Sequence, residues 1–396
     1  MAVRQITEHT FSVGVIDWSR RIFDELVALP EGTSYNSYVV KGSQKTALID
    51  TVDPSVQEEY IGNLIRLGID RIDYFVINHA EQDHAGLVPM LLELFPGAKI
   101  CCTEKCRDML AKLLDVPGER CLIVSTGDSI DLGEVTLEFI AAPHVHWPET
   151  MFTYCPQEEI LFSCDLFGSH YATSDLFVRD MAKEEILAKR YYAEIMMPFR
   201  SSIRTYLSAL KERKISIIAP SHGPSIKPAS LILDFYEEWT GDTVRNMVLI
   251  PYVSMHGSTR QMVTYLSDRL IERGVGVHPF HVTGSDLGAL AMEMVDAATV
   301  IFAAPTVLYG PHPEMVSVAY LANLIKPKTR YATIIGSFGW GGKAVDTLKS
   351  MLPHLKAEFL EPLYIQGAPD EKTHQALEVL ADTIALKHKT DSTVIG

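Results

Sequence analysis

A chain of 396 residues is long for one ordinary domain, and with 47% hydrophobic and 21% charged residues both halves can bury a core. A net charge of −15 and the lack of a basic stripe exclude nucleic acid as a partner, because phosphates would be repelled. No apolar run is long enough to span a bilayer and residues 1–5 open no signal peptide, so a cytoplasmic protein with no membrane partner is expected. In chain order, residues 36–40 and 46–50 read as strands around a turn at 41–44, followed by a helix at 58–67 and a strand at 74–78. A strand at 100–102 and a helix at 106–114 come next, then β-like runs at 121–124, 135–141, 151–154 and 160–163. A helical region over 182–213 and a strand at 215–219 complete the series. Strand clusters flanked by helices predict an αββα sandwich, two sheets covered on both outer faces, over residues 1–243.

Near residues 239–243 the pattern changes to strict alternation. Strands at 247–252, 276–281, 299–304, 331–335 and 357–363 interleave with helices at 260–273, 287–295, 315–324, 343–352 and 371–387. That predicts a doubly wound, five-stranded parallel sheet over 244–396, with residues 389–393 frayed.

The densest chemistry lies in Asn78-His79-Ala80-Glu81-Gln82-Asp83-His84-Ala85-Gly86, directly after the apolar run 74–77. If the backbone stays extended, His79, Glu81 and Asp83 project to one side while His84 points elsewhere, which suits two adjacent metals better than one. The plainer reading is a solvated turn in which Asp83 caps a helix over 87–95. It leaves unexplained His146, Asp165 and His222, each of which also follows a strand-like run. Four strand ends delivering His, Asp and Glu favour a metal site. His144 and His170 read as hydrogen-bonded structural histidines. The six cysteines contain no C-x-x-C pair, which excludes a zinc ribbon or rubredoxin-type centre, and they read as small buried residues in a reducing compartment.

A second constellation follows the strand at 247–252. In Ser254-Met255-His256-Gly257-Ser258-Thr259 a strand ends, a hydroxyl-rich loop intervenes and a helix begins, which is a cradle for a phosphate dianion. Ordinary N-capping explains this stretch taken alone. Two more loops follow later strands, Pro305-Thr306-Val307-Leu308-Tyr309-Gly310 and Ser337-Phe338-Gly339-Trp340 with Gly342. Loops after strands one, three and four converge at a switch point, where glycines admit a flat ring and Tyr309 or Trp340 can stack on it. Flavin mononucleotide is the favoured ligand.

With these residues in view, the chain resembles the flavodiiron proteins, or A-type flavoproteins, over essentially its whole length. The residues that carry the resemblance are N-H-x-E-x-D-H-A-G, then H-W-P, then D and H-G. The resemblance implies a metallo-β-lactamase-like domain followed by a flavodoxin-like one. It implies that His79, Glu81 and His146 hold one iron, that Asp83 and His222 hold the other, and that Asp165 bridges both. These are also the residues expected to carry catalysis. His84 is expected as a further ligand of the second iron, the alternative being a ring turned away with water in its place. Most hydrolases of this fold have His at the position of Glu81, and a hard anionic oxygen there shifts preference from zinc toward iron. His256 departs from the Thr usual in flavodoxin-type phosphate loops and from the Trp that related proteins of this family often have there. The resemblance further implies reduction of O2 to water, of NO to N2O, or both, with FMN relaying electrons. The expected donor is external: rubredoxin, a reduced deazaflavin or a flavin reductase. A head-to-tail homodimer, or a dimer of dimers, is expected to bring one subunit's flavin to the other's irons. The rival readings are a zinc hydrolase with an accessory flavodoxin domain and a plain electron carrier.

Overall fold

A computed structural model describes residues 3–396 and divides the chain into two compact units. One comprises the chain up to Tyr191 together with Phe199–Thr240, and the other Tyr192–Pro198 with Gly241–Gly396.

The first unit is built on two sheets. The larger runs Arg4–Gln5, Thr10–Ser12, Tyr38–Lys41, Thr46–Ile49, Tyr74–Val76, Lys99–Cys102 and Cys121–Ile123 from edge to edge. The smaller runs Ser129–Asp131, Thr136–Ala141, Met151–Cys155, Ile160–Cys164 and Ile217–Pro220. The two-residue period of a strand sorts the side chains. Val39, Leu48, Phe75 and Ile100 face a helix-covered layer with Tyr60, Leu64, Leu91 and Leu110. Their neighbours Val40, Ala47, Ile49, Val76 and Cys101 face the other way, against Leu137, Phe139, Met151, Phe162 and Ile217 of the second sheet. Thr46–Ile49, Tyr74–Val76 and Lys99–Cys102 are parallel, as are Ile160–Cys164 and Ile217–Pro220, so several carboxyl ends open on one edge. This is the predicted sandwich. The helical region expected over 182–213 is observed as the α-helices Met181–Tyr191 and Arg200–Leu210 joined by a π-helical stretch, Tyr192–Met196, and a 3-10 turn, Met197–Phe199.

The second unit carries Gly276–His281, Val244–Tyr252, Ala297–Val307 and Tyr331–Phe338 as adjacent parallel strands. The fifth position is shared by two short strands, Glu358–Phe359 and Leu363–Gln366, where the sequence suggests one over 357–363. Helices Ser258–Glu272 and Glu371–Thr390 cover one face through Met262, Leu266, Leu270, Leu377 and Ile384. Ala297–Val307 is buried along nearly its whole length, as a strand covered on both faces must be. The tail is not frayed. Asp391 accepts hydrogen bonds from Thr393 and from Tyr331 Oη (2.9 Å), and Val394–Ile395 pairs with Val244–Arg245.

Candidate functional site

The strand Tyr74–Val76 delivers the chain to Asn78, which is clamped before any ligand appears. Its N–H and Nδ2 donate to the two oxygens of buried Asp50 (2.7 and 2.9 Å), and its Oδ1 accepts from Thr153 Oγ1 (2.7 Å). Beyond His79 the chain does not stay extended. Glu81 caps a single helical turn, Gln82–Ala85, and Leu87, not Asp83, sits at the cap of helix Val88–Leu94. The Thr51 N–H and hydroxyl both donate to the His84 carbonyl (2.6 and 2.8 Å), which fixes that turn.

The side chains then fall into two groups. His79 Nε2 and His146 Nε2 lie 3.0 and 3.5 Å from Glu81 Oε2. His84 Nε2 and His222 Nε2 lie 3.2 Å from Asp83 Oδ1 and Oδ2 respectively. Asp165, at the end of strand Ile160–Cys164, stands between the groups and divides its oxygens. Oδ2 is 3.7 and 3.4 Å from His79 and His146, while Oδ1 is 3.1 and 3.4 Å from His84 and His222. All seven residues singled out in the sequence come together, His84 included. Both oxygens of Asp83 and Oδ2 of Asp165 are buried with no hydrogen-bond donor. Buried carboxylate oxygens without donors call for cations, and three overlapping groups of these ligand atoms lie within reach of a common ion. The donor set therefore fits two metal ions, with Glu81, Asp83 and Asp165 supplying hard oxygen alongside four imidazoles.

The electrostatics agree. Burial alone lowers an imidazole pKa, yet hydrogen bonds to Glu149 and Glu81 outweigh it and raise His79 to about 10. His222 is likewise raised to about 10 against burial, by Asp165 and Asp83. His84 and His146 reach about 9 for the same kind of reason. Burial raises the Asp165 carboxyl, but the neighbouring imidazoles of His84, His146 and His222 hold it well below its usual range. The cluster is a pocket of negative potential that positive charge must fill.

Outward of the ligands sit partners that the sequence reading did not single out. His79 Nδ1 donates to buried Glu149 Oε1 (2.6 Å) and His222 Nδ1 donates to the Ser34 carbonyl (2.7 Å), which leaves both Nε2 atoms for the site. Tyr191 Oη donates to Asp165 Oδ1 (3.1 Å). His170 is buried with Nδ1 bonded to Thr33 Oγ1 (2.9 Å), and His144 is exposed.

In the second unit, Ser254, Met255, His256, Ser258, Thr259, Pro305, Thr306, Ser337, Phe338, Gly339 and Gly367 line a cavity of about 200 Å³. That is smaller than a fully enclosing ligand site, so a nucleotide held there keeps part of itself open to solvent. Gly257, at φ +94°, caps helix Ser258–Glu272 with no side-chain hydrogen bond, and Thr259 Oγ1 is buried without a partner. The Arg260 N–H in the first turn donates to Ser254 Oγ (3.2 Å), and the remaining N–H groups of that turn beside an unpaired hydroxyl fit a phosphate. Val307, Leu308, Tyr309, Gly310, Trp340 and Gly342 do not line this cavity. Tyr309 and Trp340 are exposed and pack on each other with centroids 5.1 Å apart.

An ODP family beta-lactamase model matches residues 33–223. The chain is 35% identical to a nitric oxide reductase of Moorella thermoacetica, over 90% of each chain. It superimposes on a flavodiiron protein of Giardia intestinalis with a TM-score of 0.91 at 30% identity, covering 98% of this chain and 97% of that one. It belongs to the flavodiiron proteins. A rubredoxin:oxygen oxidoreductase of Desulfovibrio gigas matches at a TM-score of 0.92 and 28% identity, over 97% and 98% of the two chains.

Two features of this flavodiiron protein lay beyond the sequence reading for different reasons. Glu149 is 70 residues from the histidine it orients, and nothing local to either marks the pair. Gly367 did leave a signal, since it directly follows the strand Leu363–Gln366 at the same sheet edge as the other loops.

Proposed function

We propose that the chain is an oxidoreductase of the flavodiiron type that reduces O2 to water, NO to N2O, or both. His79, Glu81 and His146 would hold one iron and Asp83, His84 and His222 the other, with Asp165 available to both groups. The loops at Ser254–Thr259, Pro305–Gly310 and Ser337–Gly342 hold FMN. When bound, FMN and the paired irons would supply electron transfer from an external donor to a diatomic substrate. The observation that carries this reading is Asp165, whose two oxygens face two separate pairs of imidazoles.

The protein's own groups have defined tasks. Glu149 and the Ser34 carbonyl fix the tautomers of His79 and His222. Trp147, edge-on to His79 at 4.9 Å, and Phe23 and Tyr35 beside His222 keep bulk water from the ligands and hold the dielectric low. The donor is rubredoxin, a reduced deazaflavin or a flavin reductase, the assembly is a head-to-tail homodimer or a dimer of these, and the compartment is the cytoplasm. Among the described residues no helix is long and apolar enough to cross a membrane. The test is gas consumption by purified protein with each reduced donor, alongside metal analysis. His79→Ala should abolish consumption while flavin is retained. Two zinc ions and no iron per chain would overturn the reading.

A further inference from the structure

Both proposed reductions consume protons as well as electrons, and the need for an internal proton donor rests on that proposed function. The helix Met181–Tyr191 passes behind the donor cluster and ends with Tyr191 on Asp165. Two turns earlier, Glu184 is 1% exposed, its Oε2 makes no hydrogen bond, and no ion pair reaches it among the described residues. Its carboxyl faces Ser169, whose Oγ is also buried without an aligned partner. Ser169 in turn lies against the second group of ligands. Its N–H donates to the His222 carbonyl (3.2 Å), and its Oγ fills the space where a Cβ would stand on Gly223. An isolated buried carboxyl is costly unless neutral. Ser169 and Lys183 offset that cost only in part. Lys183 beside it on the helix is turned to Glu31 (2.9 Å) and the Tyr171 ring. His170 on the facing loop is kept neutral by burial and by His222.

We propose that Glu184 is the internal proton donor of this centre, passing its proton through the Ser169 hydroxyl toward the His222 side of the ligand cluster. The Glu184 O–H bond breaks, the Ser169 oxygen accepts that proton as it releases its own, and the released proton ends in product water. Solvent then reprotonates the carboxylate. Burial, only partly opposed by Ser169 and Lys183, pushes the Glu184 carboxyl up to about 7, so near neutral pH both its protonated and its ionised forms are well populated and it can give up and regain a proton.

The test compares wild type with Glu184→Gln, which keeps shape and hydrogen bonding but has no acidic proton, and with Glu184→Asp. Infrared difference spectra across pH should show a buried protonated carboxyl band that fades as pH rises through about 7 and is missing from E184Q. At unchanged iron and FMN content, E184Q should lose on the order of tenfold or more in steady-state rate. Its pH profile should lose the limb near neutrality, and E184D should restore part of both. Ser169→Ala should slow turnover in the same direction, and it carries the test if E184Q does not fold. Full rate and an unchanged pH profile in E184Q, or a wild-type spectrum without the band, would overturn the proposal. A wild type that shows the band but consumes neither gas overturns it through the loss of the proposed reductase activity, and the two failures are thereby told apart.

Discussion

The metal cluster of the first unit and the loop site of the second differ in where their binding groups come from. At the cluster every donor is a side chain, brought from residues as far apart as His79 and His222, and five of the seven are buried, with Glu81 and His146 partly so. At the loops, much of what can meet a ligand is backbone: the start of helix Ser258–Glu272 and the turns after neighbouring strands, with Met255, Tyr309 and Trp340 open to solvent. A side-chain site should fail abruptly when one group is removed. A backbone site should weaken by degrees, because single substitutions leave most of its N–H groups in place.

The sharpest way to break the contrast is Asp165→Ala. It removes the carboxylate common to both groups, so bound iron and gas consumption should both vanish while the flavin absorption spectrum persists; iron analysis and visible spectra decide it. Glu149→Gln should be milder, weakening iron affinity by about 10- to 100-fold by loosening His79. Competition with a chelator measures it. On the other side, Gly257→Ala forces a left-handed backbone on a residue with a Cβ at about 1–2 kcal/mol, which weakens FMN about tenfold and leaves iron untouched. Smallest is Thr259→Val, about 1 kcal/mol of FMN affinity from one hydroxyl, read by fluorescence titration.

Acidity sharpens the same comparison. In the metal-free chain the folded state raises the four imidazoles from 6.5 to about 9 or 10. Their contribution to stability is therefore fully present below 6.5 and is lost as pH rises through 9 to 10. Thermal unfolding of iron-free protein across that window should show the loss. At neutral pH iron must displace those protons, so calorimetric iron titrations should report proton release that depends on the buffer.

Much of this was legible in the sequence because the signals are local. His79, Glu81, Asp83 and His84 fall within six residues, and each later ligand follows an apolar run that marks a strand end. The two sheets and the alternating second unit follow from periodicity alone. What was not legible depends on tertiary contacts or on short-range geometry without a clear pattern. The helical turn at Gln82–Ala85 contradicts the expected extended path, since sequence spacing cannot say where a chain coils. The tail looked polar and loose, but Asp391 and the pairing of Val394–Ile395 with Val244–Arg245 depend on strands about 60 and 150 residues away.

The position of Asp165 has one more consequence. Because a single carboxylate serves both halves of the cluster, the two cations cannot be taken up as independent events. A first cation would fix the carboxylate's orientation for the second while its own charge opposed the second's arrival, so the two additions would be coupled. Iron titrations should show two unequal steps in place of two identical, independent ones.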